Sequence, residues 1–240
     1  MKQKEEQGPL ILMMETATNV GSVGLYAGEE CLGHVDIRKG RLHAKLLLPL
    51  VKDLLQKLSV SPADLAAIAV SKGPGSYTGL RVGVSTAKGL CMALDKPLMS
   101  LNSLEVLAWQ VEEVARKLNA FVAPMIDARR MEVYTALYSP SMTKVEEIHA
   151  HILDEHSFQE PLSKEKIIFV GDGAAKAESL FSSHPNALVL KEVLSSTSSL
   201  GKPLNSKLQE NQFEDLVTFE PFYLKDFVAT KPKDRLKETR

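Results

Sequence analysis

Lys72-Gly73-Pro74-Gly75-Ser76-Tyr77-Thr78-Gly79-Leu80-Arg81-Val82-Gly83 joins an apolar run, Leu65 to Val70, to a helical pattern that continues to about Leu94. The run has the composition of a buried strand. A strand that ends in a glycine-rich turn before a helix can present bare backbone N–H groups to an anion. The Gly-Lys-Ser/Thr ending of a P-loop is absent, however. The same spacing also fits a tight turn with Ser76 as helix N-cap. On these residues alone both alternatives stay open.

Upstream, Leu10–Glu15 reads as an apolar strand ending in Thr16-Ala17-Thr18-Asn19, with Val20–Tyr26 and Cys31–Arg38 as two further strands. Short turns between them predict an antiparallel meander. Leu42, Leu46, Leu47, Leu50, Val51, Leu54, Leu55 and Leu58 then recur at helical period, with Pro49 expected to start or kink that helix. Ser61-Pro62-Ala63-Asp64 has the signature of a helix start. Downstream, Pro97–Ser100 is extended and Leu104–Leu118 is helical. Ala120–Asp127, Met131–Tyr138, Val145–Ile152 and Ile167–Val170 are strands, and Gly171-Asp172-Gly173-Ala174 is a second strand-to-helix turn. Leu194–Gln212 is polar and serine-rich, and is expected to be a loop and a loosely packed helix. Two β-rich starts, each followed by helix–strand alternation, predict two α/β halves of similar plan: 10–108, 109–230, and a basic tail at 231–240.

The 240 residues leave ample chain for a core, and the net charge of −1 gives no global electrostatic case for a nucleic-acid or membrane binder. Cys31 and Cys91 lie in no metal or redox spacing and read as reduced thiols of a cytoplasmic protein. Met1–Gln7 is charged and lacks an apolar h-region, so it is not expected to be a signal peptide, and no apolar run approaches the roughly 20 residues that span a bilayer. His43 reads as a polar cap or edge residue, while His149, His151 and His156 read as surface side chains.

Glu15-Thr16-Ala17-Thr18, the Gly73–Gly83 segment, Ile126-Asp127-Ala128-Arg129-Arg130-Met131-Glu132-Val133-Tyr134 and Pro221-Phe222-Tyr223-Leu224 together resemble the TsaB (YeaZ) family. The resemblance runs from about Leu10 to Leu224. It implies the actin/hexokinase/Hsp70-like (ASKHA) α/β fold, two similar halves with a cleft between them. It also implies a non-enzymatic role in forming threonylcarbamoyladenosine at adenosine-37 of tRNAs that read ANN codons. The partners it implies are TsaD, the catalytic paralogue, and the small ATPase TsaE. Contact with tRNA would then be indirect, through the complex, and the free chain is expected to be a homodimer.

TsaD carries a metal-binding His-x-Glu-Gly-His, two imidazoles four residues apart on one helix face. In the aligned stretch of this chain those two positions are Ser103 and Leu107, neither a useful ligand. The resemblance therefore implies no metal and no catalytic residue. It places candidate nucleotide-binding residues at Glu15, Thr16, Thr18, Gly75 and Ser76. ATP or ADP is then a candidate ligand at the partner interface, not a required cofactor. It places the interface itself at His43, Leu47, Leu50, Gly79, Arg81, Gly83 and Ala87. Gly79, Gly83 and Ala87 are spaced by four. Glycine in a helix costs roughly 1 kcal/mol relative to alanine, which a close helix–helix approach would offset. Packing on the chain's own sheet is the competing account. On the interface account, Gly83→Leu should block pairing and leave the fold intact. The rivals are a stand-alone ATPase or small-molecule kinase of the same fold, a metallopeptidase, and a direct tRNA-binding module.

Overall fold

The computed structural model describes residues 8–38 and 43–225. The tail at 231–240 lies outside them. Strands β1 (Leu10–Glu15), β2 (Gly21–Ala27), β3 (Glu30–Ile37), β4 (Leu65–Ser71) and β5 (Leu98–Leu101) form one sheet in the order β3-β2-β1-β4-β5. Strands β6 (Phe121–Asp127), β7 (Glu132–Tyr138), β8 (Lys144–Ile152), β9 (Ile167–Val170) and β10 (Ala187–Leu190) form a second sheet, ordered β10-β9-β6-β7-β8. In each sheet the first three strands are an antiparallel meander, and the last two join in parallel. Each half is thus the same topology, as two β-rich starts predict.

Parallel neighbours need crossovers, and helices supply them. In the first half these are α1 (His43–Lys57) and α2 (Tyr77–Leu94). They are followed by α3 (Ser103–Trp109) and α4 (Glu112–Leu118), in the second half by α5 (Gln159–Lys164) and α6 (Ala174–Phe181), and after β10 by α7 (Gly201–Gln209). The period of two along β1 divides the first core. Leu12 and Met14 face α1 and α2, whereas Ile11 and Met13 face Val106 of α3 and Leu200 and Leu204 at α7. Leu104, Leu107 and Ala108 of α3 pack on the second sheet. Helix α3 therefore sits between the two sheets.

Four expectations are corrected. Ser61 does cap Ala63 N, but only one 3-10 turn, Pro62–Asp64, forms before β4 begins. Pro49 does not start α1, which begins at His43 and runs through it to Lys57. The single helix expected over Leu104–Leu118 is two, because the chain leaves helical geometry at Val111, after which Glu112 and Glu113 restart it at the favourable end of the helix dipole. The Ser-rich segment is not loose. Thr197 N donates to Ser22 Oγ (2.9 Å), Leu200 N donates to Tyr26 Oη (3.0 Å), and Leu204 is fully buried.

The last described residues also return to the first half. Glu214 N donates to Leu98 O beyond the β5 edge (2.8 Å), Phe219 enters the first core, and Phe222 N donates to Lys72 O (2.7 Å). Residues 195–225 thus form a strap on the first lobe. From residue 195 the described chain makes buried contacts with β2, β5 and α2.

Candidate functional site

The glycine-rich turn after β4 is clamped from two sides. A Cβ on Gly73 would stand 2.4 Å from Phe222 O of the strap, and one on Gly75 would stand 2.3 Å from Ala17 O of the β1–β2 turn. Gly73 has φ +118°, where a side chain is strained as well. Ser76 N donates to Ala17 O (2.6 Å), and Ser76 Oγ accepts from Gly79 N (3.3 Å). The serine is therefore the N-cap that the spacing predicts. Its amide is committed to the neighbouring turn and does not stand open to an anion.

Glu15 ends β1 and is fully buried. Its Oε1 accepts from Ser71 Oγ (2.9 Å) and from Ala17 N, while Oε2 has no hydrogen-bond partner. Desolvation outweighs these bonds and pushes its pKa up to about 7. Thr16, also fully buried, donates from Oγ1 to Gly79 O (2.8 Å). Thr18 is half-buried and exchanges bonds with Val20. The five candidate nucleotide residues are thus brought together, but Glu15 and Thr16 are spent on internal contacts.

The second lobe has a counterpart that sequence reasoning did not single out. Asp127 ends β6 as Glu15 ends β1. Lys176 Nζ pairs with Asp127 Oδ1 (2.7 Å) and donates to Glu132 O (2.7 Å). Asp172 Oδ1 accepts from Asp127 N (3.0 Å), and burial raises its pKa. The signal was available: a carboxylate closes the first strand of each half. Ser103 and Leu107, which the resemblance aligns with the relative's imidazoles, are both buried, and Leu107 Cδ2 lies 2.4 Å from where a Cβ on Gly171 would stand. Among the described residues no three His, Cys, Asp or Glu side chains are grouped to hold a metal ion, and no helix is long and apolar enough to cross a membrane.

The interface candidates divide. Gly79, Gly83 and Ala87 face inward, since a Cβ on Gly79 would stand 2.1 Å from Thr16 O and one on Gly83 2.2 Å from Thr16 Oγ1. The small-residue stripe is therefore explained by packing inside the chain. Gly83→Leu would disturb the fold, contrary to the expectation above. Leu47 is likewise in the core, and Leu50 packs against it half-buried. His43 opens α1, but its side chain lies outside the described residues. Arg81 is exposed. What sequence reasoning missed is Leu48, 53% exposed, at one side of an apolar groove of about 430 Å³ between α1 and α2. Val51, Leu55, Val60, Leu90 and Leu94 line the rest of it.

Two five-stranded sheets of identical order, with an acidic residue closing the first strand of each and a helix between them, define a two-lobed protein of the actin/hexokinase/Hsp70-like class. Comparison with known proteins narrows this. The family described as "TsaD: tRNA N6-adenosine threonylcarbamoyltransferase" matches residues 37–234. The Escherichia coli (strain K12) "tRNA threonylcarbamoyladenosine biosynthesis protein TsaB" is 32% identical over 92% of this chain and 96% of its own length. The Bacillus subtilis (strain 168) protein of the same description is 37% identical, in an alignment that spans 53% of this chain and 54% of the relative. A solved structure described as YeaZ from Pseudomonas aeruginosa superposes with TM-score 0.76 at 28% identity, covering 90% of this chain and all of that one. Another from that organism, described as similar to peptidase YeaZ, gives 0.78 at 27%, with the same coverage. The chain belongs to the TsaB (YeaZ) family, a branch of the wider TsaD-type family.

Proposed function

We propose that this chain acts in forming threonylcarbamoyladenosine on tRNA as a non-catalytic subunit that pairs with a TsaD-type transferase across the α1–α2 face. The observation that carries the pairing is the apolar groove between those helices, with Leu48 standing exposed at its rim. Exposed apolar surface rimmed by polar side chains, here Lys52 and Gln56, is favoured ground for a protein contact. The non-catalytic part is supported by Ser103 and Leu107, which replace the metal-binding imidazoles of the relative. On this reading the homodimer of the free chain uses the same face, the small ATPase TsaE joins the pair, and tRNA is reached through the complex.

A stand-alone ATPase is the less favoured reading, because Glu15 and Thr16 are buried and bonded within the chain. Nucleotide turnover by the isolated chain that disappears in Glu15→Ala would reverse that preference.

The pairing is tested with Leu48→Asp. A charge in the groove should lower affinity for the transferase by at least about tenfold. Thermal stability should be unchanged, since Leu48 lies outside the core. Size-exclusion co-elution of the purified pair reads the result. A variant that co-elutes as the wild type does would remove the groove from the interface.

A further inference from the structure

Arg81, one turn into α2, is held in place by two tyrosines far apart in sequence. Its guanidinium carbon lies 4.3 Å from the centroid of the Tyr77 ring. Its Nε donates to Tyr223 Oη on the strap (3.3 Å), and the two tyrosine rings lie 4.7 Å apart. The side chain is exposed all the same, and although Glu220 acts on it electrostatically, no carboxylate of the described residues lies within ion-pair distance of it. Several other cations of this surface, Lys96 and Lys166 among them, also have no ion pair within the described residues, but none of them is held between two aromatic rings. Lys57, Lys117, Lys164, Lys176 and Lys191 all sit beside an acidic side chain.

A free surface arginine samples many rotamers and loses that freedom on binding. Arg81 has already lost much of it, because stacking fixes the plane of the guanidinium and the Nε–Tyr223 bond fixes its rotation. One of five N–H donors is used, leaving the Nη hydrogens in the flat fork that matches a carboxylate. Arg81 also shares the outward face of α2 with Thr78, Ser85, Gly89 and Met92, at helical spacing. At 1.5 Å per residue it stands about 13 Å along the helix from Leu90 of the apolar groove. A partner that covers the groove and continues along α2 reaches it.

We propose that Arg81, clamped by Tyr77 and Tyr223, is a preorganised anchor for an acidic side chain of the partner subunit. This rests on the pairing proposed above. It gives the strap a role in that pairing, since Tyr223 comes from the returning C-terminal segment and not from α1 or α2. The clamp sets the direction of the charge, while the groove supplies the buried apolar area.

The experiment is titration calorimetry of the purified TsaD-type transferase with wild-type chain, Arg81→Gln, Arg81→Lys and Tyr223→Phe, at low and at moderate salt. Thermal midpoints serve as the fold control, and tRNA binding by the isolated chain is measured in parallel. Arg81→Gln should weaken pairing by about tenfold or more. Lysine should recover only part, because it lacks the fork. Tyr223→Phe should cost a few-fold. Neutralising one acidic residue of the transferase should abolish the further effect of Arg81→Gln in a double-mutant cycle. Equal affinity of Arg81→Gln and wild type would overturn the anchor and leave the groove standing. So would full rescue by lysine, or an Arg81→Gln defect seen only in tRNA binding. Absence of any wild-type pairing would instead overturn the proposed function, and the anchor with it.

Discussion

Gly79→Ala should lower the stability of this protein by about 2–3 kcal/mol, although alanine is the better helix former. Two opposing effects set the sign. Alanine gains roughly 1 kcal/mol over glycine in a helix interior. Against that, the new Cβ would stand 2.1 Å from the backbone carbonyl of Thr16, which directly follows a strand buried on both faces. Backbone cannot rotate away as a flexible side chain can, so α2 or the β1–β2 turn must shift, and overpacking of this kind costs about 1–3 kcal/mol or more. The shift would also break the Thr16 Oγ1–Gly79 O bond and crowd the glycine-rich turn. Gly89→Ala is the matched control. A Cβ there meets nothing within 4 Å, so the helix gain of about 1 kcal/mol should appear undiminished. Guanidinium unfolding of both variants checks the pair. Two stabilised proteins would show that α2 does not rest on Thr16.

Glu15→Gln should flatten the pH dependence of stability between about 4.5 and about 7, the ordinary and the folded values for this carboxyl. The sign follows from burial. In the unfolded chain the group ionises near 4.5; in the fold it holds its proton up to about 7. Its protonated state therefore favours folding at full strength below about 4.5, and that contribution falls away as the pH rises to about 7. The gap corresponds to about 3 kcal/mol. Glutamine keeps an acceptor for Ser71 and Ala17 but has no charge to bury. It should match the wild type near pH 4 and exceed it by up to about 3 kcal/mol near pH 8. Unfolding midpoints of both proteins at the two pH values test this. Parallel pH profiles would mean that Glu15 is ionised within the fold and that its Oε2 is solvated.

Local features were legible from the residues themselves. Ser76 caps α2 through Gly79, three positions on, and the β1–β2–β3 meander is joined by turns of a few residues. Such bonds are encoded within one or two turns of chain. The repeated plan of the two halves was legible too, because the alternation of β-rich and helical segments occurs twice. The free side of α2 was not. Small residues spaced by four fit an external helix as well as an internal turn, and the choice was made by Thr16, 63 positions upstream of Gly79. The polar composition of 194–212 concealed Leu200 and Leu204, whose burial depends on β1 and β2 lying beneath them.

The succession of strands and helices along the chain, the glycine-rich turn, the capped helix and the absence of imidazoles at Ser103 and Leu107 are properties of the amino-acid string, since each depends on residue type and near neighbours. Three properties exist only in the folded chain. The charge state of Glu15 depends on how much water the two lobes exclude. The ownership of residues 195–225 depends on contacts with β2, β5 and α2, made by segments more than 100 positions apart. The Arg81 clamp needs Tyr223 delivered 142 positions along the chain to the side of Tyr77. Burial and long-range juxtaposition are set by the whole packing of the chain, and no local pattern carries them.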